Sequence, residues 1–285
     1  MQKVAVVADS VACLTKHLTD QSRITIAPVT LLVQGKIYRD SLDISPSSAY
    51  KLFLHEPESF ATSPASPGNY LEAFREAKKV ANDIVCVTLS SRLSTEHNTA
   101  MVARELAGNE FPGSSIMVVD SQSVGPAEGF VALAAARAAA EGKELSAVVE
   151  TAEKVKDKVE FVAFLETVRY VYRTGRVPKI AAEIGSWLDA KPILRVRSGV
   201  VHFKGIVRNR EQGEDRLLGA MREKVGDRPV HVAVSHAYAP QEAMKLEQRV
   251  RSQFNCVEIW TTEFSPVMGY ATGTGTLGLA FYPEE

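Results

Sequence analysis

The sequence has little of what marks a disulfide framework or a thiolate metal site. Its 285 residues include only three cysteines, Cys13, Cys86 and Cys256, and no two of them form a C-x-x-C pair. An odd and scattered set of this kind argues against structural disulfides and against a cysteine-ligated metal. Cys86 and Cys256 also lie in apolar segments, where a cysteine packs as a small hydrophobic residue. We therefore expect free thiols and a reducing, cytoplasmic compartment.

Catalytic and cofactor motifs are also missing. The six histidines contain no H-E-x-x-H pattern and no i, i+4 pair, and His231 and His236 fall on opposite faces of a predicted strand. Neither a G-x-S-x-G nucleophile turn nor a Walker-type glycine loop occurs. A G-x-G-x-x-G sequence begins at Gly273, but only seven residues follow its last glycine, too few for the helix that a dinucleotide site needs. The sequence thus predicts no metal, no cofactor and no catalytic residue.

Neither charge nor hydrophobicity is concentrated in one part of the chain. Lys plus Arg total 33 and Asp plus Glu total 34, for a net charge of −1, and the two signs are interleaved. This balance argues against a nucleic-acid partner. The longest apolar helical stretch, residues 129–140, contains Arg137 and is too short to span a bilayer, and the apolar run before Asp9 is too short for a signal peptide. We expect no membrane span and no export signal.

The apolar runs that do occur predict an α/β fold. Two runs, which end just before Asp9 and Asp120, are rich in β-branched residues and are each followed by Asp-Ser. Continuous apolar runs of this length are typical of buried strands in parallel sheets. Ligands bind at the carboxyl ends of such strands. We therefore expect the two Asp-Ser pairs to form one polar rim on the ligand side of the sheet, although both pairs could equally be helix caps.

The length of the chain exceeds what one hydrophobic core usually organises. We predict two α/β domains, a Rossmann-like one with a mostly parallel sheet over residues 1–158 and one with a mixed sheet over residues 159–285, and a ligand between them. Ser45 and Ser66, each followed by Pro, should cap the helices that begin there. The expected strands are at residues 4–8, 24–33, 83–89, 115–121, 161–165, 191–196, 199–203, 229–235 and 255–261, the expected helices at 46–54, 68–81, 95–107, 129–140, 144–158, 166–173, 179–187, 210–225 and 240–252, and a Ser/Pro-rich loop at 61–69.

A cluster of hydroxyls follows the strand predicted at residues 83–89. Ser90, Ser91 and Ser94 lie where that strand turns into the helix predicted to begin at Thr95. The start of a helix offers unpaired N–H groups and the positive end of the helix dipole, which suit an anion. Alternatively, Ser94 or Thr95 serves only as the N-cap of the helix. The residues alone leave both roles open.

Nine short segments occur in an order that is more specific than any of them alone. They are Asp9-Ser10, Tyr38-Arg39-Asp40, Thr62-Ser63 with Ser66-Pro67-Gly68, Ser90-Ser91 with Leu93-Ser94 and Ala100, Asp120-Ser121, Thr174-Gly175-Arg176, Lys191-Pro192-Ile193-Leu194, Val207-Arg208 and the glycine-rich tail. Together they resemble the DegV family of bacterial fatty-acid-binding proteins, and the resemblance covers nearly the whole chain.

The resemblance implies a protein that is not an enzyme and that holds one long-chain, palmitate-like fatty acid in a tunnel between its two domains, as a lipid carrier or presenter. The family's carboxylate-binding Thr and Ser fall on Thr62 and Ser94. The neighbouring hydroxyls of Ser63 and Ser91 are further ligand-binding candidates. The resemblance implies no cofactor, only the fatty acid as bound ligand.

A partner is implied as well. The family's arginines that are associated with docking to a fatty acid kinase fall on Arg176 and Arg208, although an arginine is more often simply solvated at the surface. The family's tail His falls on Ala271. If that His assists phosphoryl transfer, this chain binds lipid without serving a kinase.

Two more departures concern the head-group region. The family's L-S-G-T-Y reads Leu93-Ser94-Thr95-Glu96-His97, so a Thr replaces the Gly that lets the backbone approach the head group, and Glu96 lies beside the site. Pro64 and Ala65 stand where Gln-Pro is usual. These changes predict an altered head-group pocket.

Simple energetics favour a lipid ligand. A C16 chain buries about 14 methylenes, worth on the order of 11 kcal/mol before ordering costs, which leaves a micromolar or tighter affinity. A buried carboxylate needs hydrogen-bond donors or a proton. Phe164, Ile193 and Met268 are the expected wall residues. The alternatives are an enzyme that acts on a phosphorylated or acyl substrate with Asp9 and Asp120, or a presenter of lipid to a kinase.

Overall fold

A computed structural model describes residues 2–171 and 190–284. Its strands are β1 (Val4–Asp9), β2 (Ile24–Ala27), β3 (Thr30–Val33), β4 (Lys36–Arg39), β5 (Phe60–Ser63), β6 (Asp83–Thr88), β7 (Ile116–Asp120), β8 (Glu160–Phe164), β9 (Lys191–Arg197), β10 (Val200–Val207), β11 (Val230–His236), β12 (Cys256–Glu263) and β13 (Leu277–Pro283). Its helices are α1 (Lys16–Ser22), α2 (Pro46–His55), α3 (Pro67–Lys78), α4 (Glu96–Glu110), α5 (Pro126–Ala140), α6 (Leu145–Lys158), α7 (Arg210–Val225), α8 (Pro240–Gln253) and α9 (Pro266–Thr272), with short 3-10 helices at Ser10–Ala12 and Pro57–Ser59.

The first half of the chain forms the predicted parallel sheet. Its four strands have the order β2-β1-β6-β7, and every neighbouring pair is parallel. All six residues of β1 are buried, which is expected of a strand covered on both faces. Helices α3 and α4 cover one face, and α5 and α6 cover the other.

The second half forms the predicted mixed sheet. Its six strands have the order β10-β9-β8-β13-β11-β12, in which only β11 and β12 are parallel. The predicted hairpin consists of β9 and β10, and its turn at Ser198 and Gly199 has positive φ at both residues. Together with the parallel sheet, this arrangement confirms the predicted α/β fold class.

A third sheet, which the sequence did not predict, has the antiparallel order β4-β3-β5. The single strand expected at residues 24–33 is wrong, because Pro28 separates β2 in the parallel sheet from β3 in this small sheet. The loop expected at residues 61–69 is wrong over residues 61–63, which pair with β3. The Ser and Pro residues of this segment predicted a loop, whereas residues 60–63 form β5 because they pair with β3.

Helix α5 joins the two larger sheets. It packs on β1 and β6 on one side and on β11 and β13 on the other, and 13 of its 15 residues are buried. Its many alanines allow this close approach, and a Cβ at Gly129 would lie 2.7 Å from the Ala12 carbonyl oxygen. One apolar cluster therefore extends from β1 through α5 to β8 and β13. The division into domains at residue 158 stays a prediction, although α6 ends there.

Serine caps begin two helices as predicted. Ser45 accepts a hydrogen bond from the Ser48 N–H, Ser66 accepts one from the Asn69 N–H, and a proline follows each cap. The helix expected at residues 166–173 is wrong over residues 166–170, which form bends and a turn. The helix expected at residues 179–187 lies outside the described residues. Helix α9, inside the glycine-rich tail, was not predicted.

Candidate functional site

A cavity lies between the carboxyl-end edge of the parallel sheet and one face of the mixed sheet. Its empty volume, including the part that opens to solvent, is about 950 Å³. Most of the lining is apolar, as in pockets for small hydrophobic ligands. The lining residues are Val11, Val29, Thr62, Ser63, Pro64, Leu89, Leu93, Ser94, Glu96, Val124, Phe161, Ala163, Leu165, Val171, Leu194, Val196, Val201, Val267, Met268, Ala271 and Thr272.

Strands β8 and β9 present alternate residues to the cavity. Ala163 on β8 and Leu194 on β9 line it, whereas their neighbours Phe164 and Ile193 point to the opposite face, on which α7 packs. The expectation that Phe164 and Ile193 form the wall is therefore wrong by one residue in each strand. Met268, on α9, does line the cavity.

The cavity's polar groups come mainly from the end of β5 and the start of α4. Thr62, Ser63, Ser94 and Glu96 all line it, and the two segments are joined by a hydrogen bond of 2.7 Å from the Ala65 N–H to Glu96 Oε1. The structure thus brings together three of the four predicted ligand-binding residues. The fourth, Ser91, does not line the cavity.

Of the two roles that the sequence left open for Ser94, the structure shows the capping role and leaves its hydroxyl proton free for the other. Its Oγ accepts a hydrogen bond of 3.3 Å from the Glu96 N–H, so it caps the first turn of α4. A hydroxyl that accepts in this way still has a proton to donate. The half-buried Ser94 hydroxyl can therefore cap the helix and donate to a ligand in the cavity.

The predicted polar rim exists, and it holds the turn between β6 and α4 in place. Asp9, at the end of β1, accepts the Leu89 N–H at 2.9 Å. Asp120, at the end of β7, accepts the Ser91 hydroxyl at 2.6 Å. Ser90 donates to the Gly199 carbonyl oxygen at 2.9 Å, which ties the turn to the β9–β10 hairpin. Ser91 therefore helps to hold this turn and does not line the cavity.

Glu96, which lines the cavity, belongs to a group of three buried carboxyls with Asp9 and Glu128. Burial raises the pKa of Asp9 to about 6, with its hydrogen bonds to the Leu89 and Val11 N–H groups opposing the rise. Burial, reinforced by the charge of Asp9, raises the pKa of Glu96 to about 8. Burial and the charge of Asp9 also raise the pKa of Glu128 well above its ordinary value. No Lys, Arg or His is among the described residues that line the cavity.

Sequence reasoning missed Glu128. It is the one acidic residue inside the Ala-rich helix α5, and it is completely buried beside Asp9, whose charge and hydrogen bond to Glu128 both raise the pKa of Glu128. An isolated acid within an apolar helical stretch is the signal that could have identified it.

Of the two predicted partner-docking residues, Arg176 and Arg208, the described residues include Arg208. Arg208 is exposed at the end of β10, with its N–H donating to Gln212 Oε1 at 3.0 Å. Arg176 lies outside the described residues. Ala271, where the resemblance places a His, lines the cavity.

Neither a metal centre nor a membrane helix is found in the parts of the chain that the structure covers. No group of three or more His, Cys, Asp or Glu residues within 2–171 and 190–284 could hold a metal ion. No helix in these ranges is long and apolar enough to cross a membrane.

Known proteins share both the sequence and the fold. The sequence profile described as "uncharacterised protein, DegV family" matches residues 3–284. A DegV domain-containing protein of Streptomyces coelicolor is 32% identical over 278 residues, 97% of this chain and 97% of that protein. A DegV family protein from Thermus thermophilus, solved in a study of its fatty acid binding, matches with a TM-score of 0.88 and 26% identity over 99% of this chain and 100% of its own. DegV from Bacillus subtilis, described as a fatty acid binding protein, matches with a TM-score of 0.89 and 25% identity over 100% of both chains. The chain therefore belongs to the DegV family.

Proposed function

We propose that this protein binds one long-chain, palmitate-like fatty acid in the cavity and acts in the cytoplasm as a lipid carrier or presenter. The acyl chain lies along β8 and β9, between the units formed by residues 1–158 and 159–285. The carboxyl group lies at Thr62 and Ser94, with Ser63 beside them. The observation that carries this proposal is an apolar cavity whose hydroxyls and helix start gather on one side.

The chemistry of the cavity suits an amphipathic ligand with a small head group. Apolar side chains from both larger sheets supply the surface against which methylenes are buried, worth about 0.8 kcal/mol each. The Ser94 and Thr62 hydroxyls and the N-terminal end of the 15-residue helix α4 favour a negative group. Relatives in the same family, from Thermus thermophilus and Bacillus subtilis, are described as binding fatty acids.

A binding role is favoured over catalysis by the use of the acidic rim. The Asp9 and Asp120 carboxylates, which an enzyme mechanism would employ, accept hydrogen bonds from backbone and serine groups of the neighbouring turns. Ala271 offers no group that could transfer a proton or a phosphoryl group. We therefore favour a carrier over a presenter to a fatty acid kinase, with Arg176 and Arg208 as the docking residues if a kinase exists.

Lipid extraction tests the proposal directly. The protein, purified without detergent, is extracted with organic solvent and the extract is examined by mass spectrometry. We expect one acyl chain per protein molecule, and delipidated protein should rebind palmitate. Absence of acyl species together with no rebinding of palmitate would overturn the proposal.

Substitutions test the location of the head group. Changing Thr62→Ala and Ser94→Ala together removes two neutral donors and should weaken palmitate binding by about ten- to a hundredfold, at 0.5–1.5 kcal/mol for each hydrogen bond. Ser91→Ala is the matched control, because it removes a nearby serine hydroxyl that does not line the cavity. Equal affinities of the double variant and the control would place the head group elsewhere.

A further inference from the structure

Glu96 places a carboxyl group directly in the wall of the cavity. It is the first residue of α4, and only 1% of its surface is exposed. The Ala65 N–H donates to its Oε1 at 2.7 Å, and the Tyr70 hydroxyl donates to its Oε2 at 2.8 Å. Both contacts hold the carboxyl group in one orientation beside Ser94.

When Glu96 is protonated, the Glu96 and Tyr70 side chains have one more O–H group than they can pair with each other. When Glu96 is protonated, the pair has two O–H groups and one hydrogen bond between them, and among the described residues it has no further acceptor. Tyr70 is completely buried and does not line the cavity, whereas Glu96 does. The surplus proton is therefore available to an acceptor in the cavity, and a buried O–H without an acceptor is costly.

The titratable side chains that pack around Glu96 are all acids. The titratable groups that face it are Asp9 from β1, Tyr70 from α3, Cys86 from β6 and Glu128 from α5. On α4 itself, the His97 ring lies 3.2 Å from the Thr88 hydroxyl. Burial and the Asp9 charge raise the pKa of Glu96 to about 8, so its carboxyl is mostly protonated at neutral pH.

We propose that Glu96 recognises the head group of the ligand by sharing its proton with the ligand's carboxylate, so that a fatty acid binds as a hydrogen-bonded acid–carboxylate pair. This inference rests on the fatty-acid-binding function proposed above. The proton stays between the two carboxyl groups, and the one negative charge that the pair carries is stabilised by hydrogen bonds and by the N-terminal end of α4. Where Glu96 is ionised in the empty protein, binding takes one proton from solvent. Ser94 and Thr62 donate the remaining hydrogen bonds.

The pH dependence of binding distinguishes this role from a structural one. Palmitate affinity is measured by displacement of a fluorescent fatty acid from delipidated protein between pH 6.5 and pH 9.5. The wild-type dissociation constant should change by less than about twofold up to pH 7.5 and then rise toward tenfold per pH unit above the pKa of Glu96. Glu96→Gln cannot titrate, so its dissociation constant should stay flat to pH 9.5. Calorimetry in buffers of different ionisation enthalpy should show uptake of about one proton at pH 9.5 in the wild type and none in the variant.

Two controls separate the proton from the rest of the site. Glu105→Gln changes an exposed glutamate on the same helix and should keep the wild-type profile. Hexadecanol, which has the same chain length and no charge, should bind the wild type with little pH dependence. If Glu96→Gln does not fold, Glu96→Thr tests the same point, because it also lacks a titrating group.

The outcomes separate this inference from the proposed function. Palmitate binding by the wild type with the same slope as Glu96→Gln would overturn the role of Glu96 and leave fatty acid binding intact. A uniform loss of affinity in Glu96→Gln at every pH, for hexadecanol as well, would also overturn it, because that pattern reports lost packing. No palmitate binding by any form at any pH would overturn the proposed function and this inference with it.

Discussion

Two groups of buried carboxyls lie near the end of β1, one with a single member, Asp40, and one with three. Their hydrogen-bonding surroundings differ. Asp40 is completely buried, and three serine hydroxyls donate to it: Ser10 at 2.8 Å, Ser265 at 2.6 Å and Ser41 at 3.1 Å. Burial raises the pKa of Asp40, and these hydrogen bonds oppose the rise. The Asp40 cluster therefore connects β1 and α9 through hydrogen bonds that favour the ionised carboxylate.

The second group consists of Asp9, Glu96 and Glu128. Asp9 accepts two backbone N–H groups, Glu96 accepts one backbone N–H and one hydroxyl, and Glu128 accepts none among the described residues. Burial raises the pKa values of all three groups. The charge of Asp9 raises the pKa values of Glu96 and Glu128 further, whereas the hydrogen bond with Glu128 lowers the pKa of Asp9. The comparison shows that donors around a buried carboxyl oppose the rise in pKa that burial causes, whereas the charge of a neighbouring carboxylate adds to that rise.

Removal of the Asp40 carboxylate should have the largest effect. Asp40→Ala leaves three serine hydroxyls without their acceptor, two of them on buried residues, and should lower the free energy of unfolding by about 3–5 kcal/mol. Urea unfolding at pH 7 measures the change. Asp20→Ala, which removes an exposed carboxylate paired with Lys16, should change stability by less than about 1 kcal/mol. A similar small effect at Asp40 would mean that its hydrogen bonds contribute nothing net.

Replacing the acidic group of Glu128 should instead raise the free energy of unfolding. The pKa of Glu128 is raised in the folded protein, so folding holds a proton that the unfolded chain releases above about pH 4.5, and stability falls as pH rises through that range. Glu128→Gln removes this penalty. We expect it to stabilise the protein more at pH 8 than at pH 5, by up to about 4 kcal/mol, which is the limit set by about 1.4 kcal/mol per pH unit for one proton.

Paired unfolding curves at the two pH values check this second prediction. Glu141→Gln, just after the end of the same helix, changes an exposed glutamate and should show no such difference between pH 5 and pH 8. If Glu128→Gln destabilises the protein equally at both pH values, Glu128 is ionised in the folded state and has a partner.

Much of the fold could be predicted because local patterns agree with it. The continuous apolar run of β1, the Ser-Pro starts of α2 and α3, and the bounds of α7 all follow from short-range rules. Strand β5 did not, because Thr62 and Ser63 belong to a strand only through pairing with β3. Helix α9 was missed for a different reason, because the glycines that follow it made the segment look like an irregular tail.

The site could be predicted only where chemistry is visible in single residues. Ser94 was predicted from its place at a helix start and from the family resemblance, Thr62 and Ser63 were predicted from the resemblance, and all three line the cavity. The wall at Phe164 was misplaced, because an apolar run alone does not fix which face of a strand points inward. The proximity of Glu128 to Asp9 depends on how α5 crosses β1, and no local pattern encodes that crossing.

Asp9 connects the two groups, and its neutralisation should have the smallest effect on stability. Asp9→Asn keeps one of two acceptor oxygens for the Val11 and Leu89 N–H groups, and it removes a charge that opposes ionisation of Glu96. The lost acceptor destabilises by about 1 kcal/mol, and the relief of repulsion offsets part of it at pH 8. The net change in unfolding free energy should be below about 1 kcal/mol.

The pKa of Glu96 is the sharper readout of the same substitution. Because the charge of Asp9 is the second cause that raises this pKa, Asp9→Asn should lower it from about 8 by up to about one unit, followed by carbon-13 NMR of the glutamate carboxyls. Asp120→Asn is the matched control: it alters the other acidic strand end, which holds Ser91, and should leave the pKa of Glu96 where it is. An unchanged pKa in Asp9→Asn would mean that burial alone keeps the Glu96 proton in place, and the three carboxyls would then act independently. A lowered pKa would show that the anion at the end of β1 sets the pH range over which the cavity retains its proton.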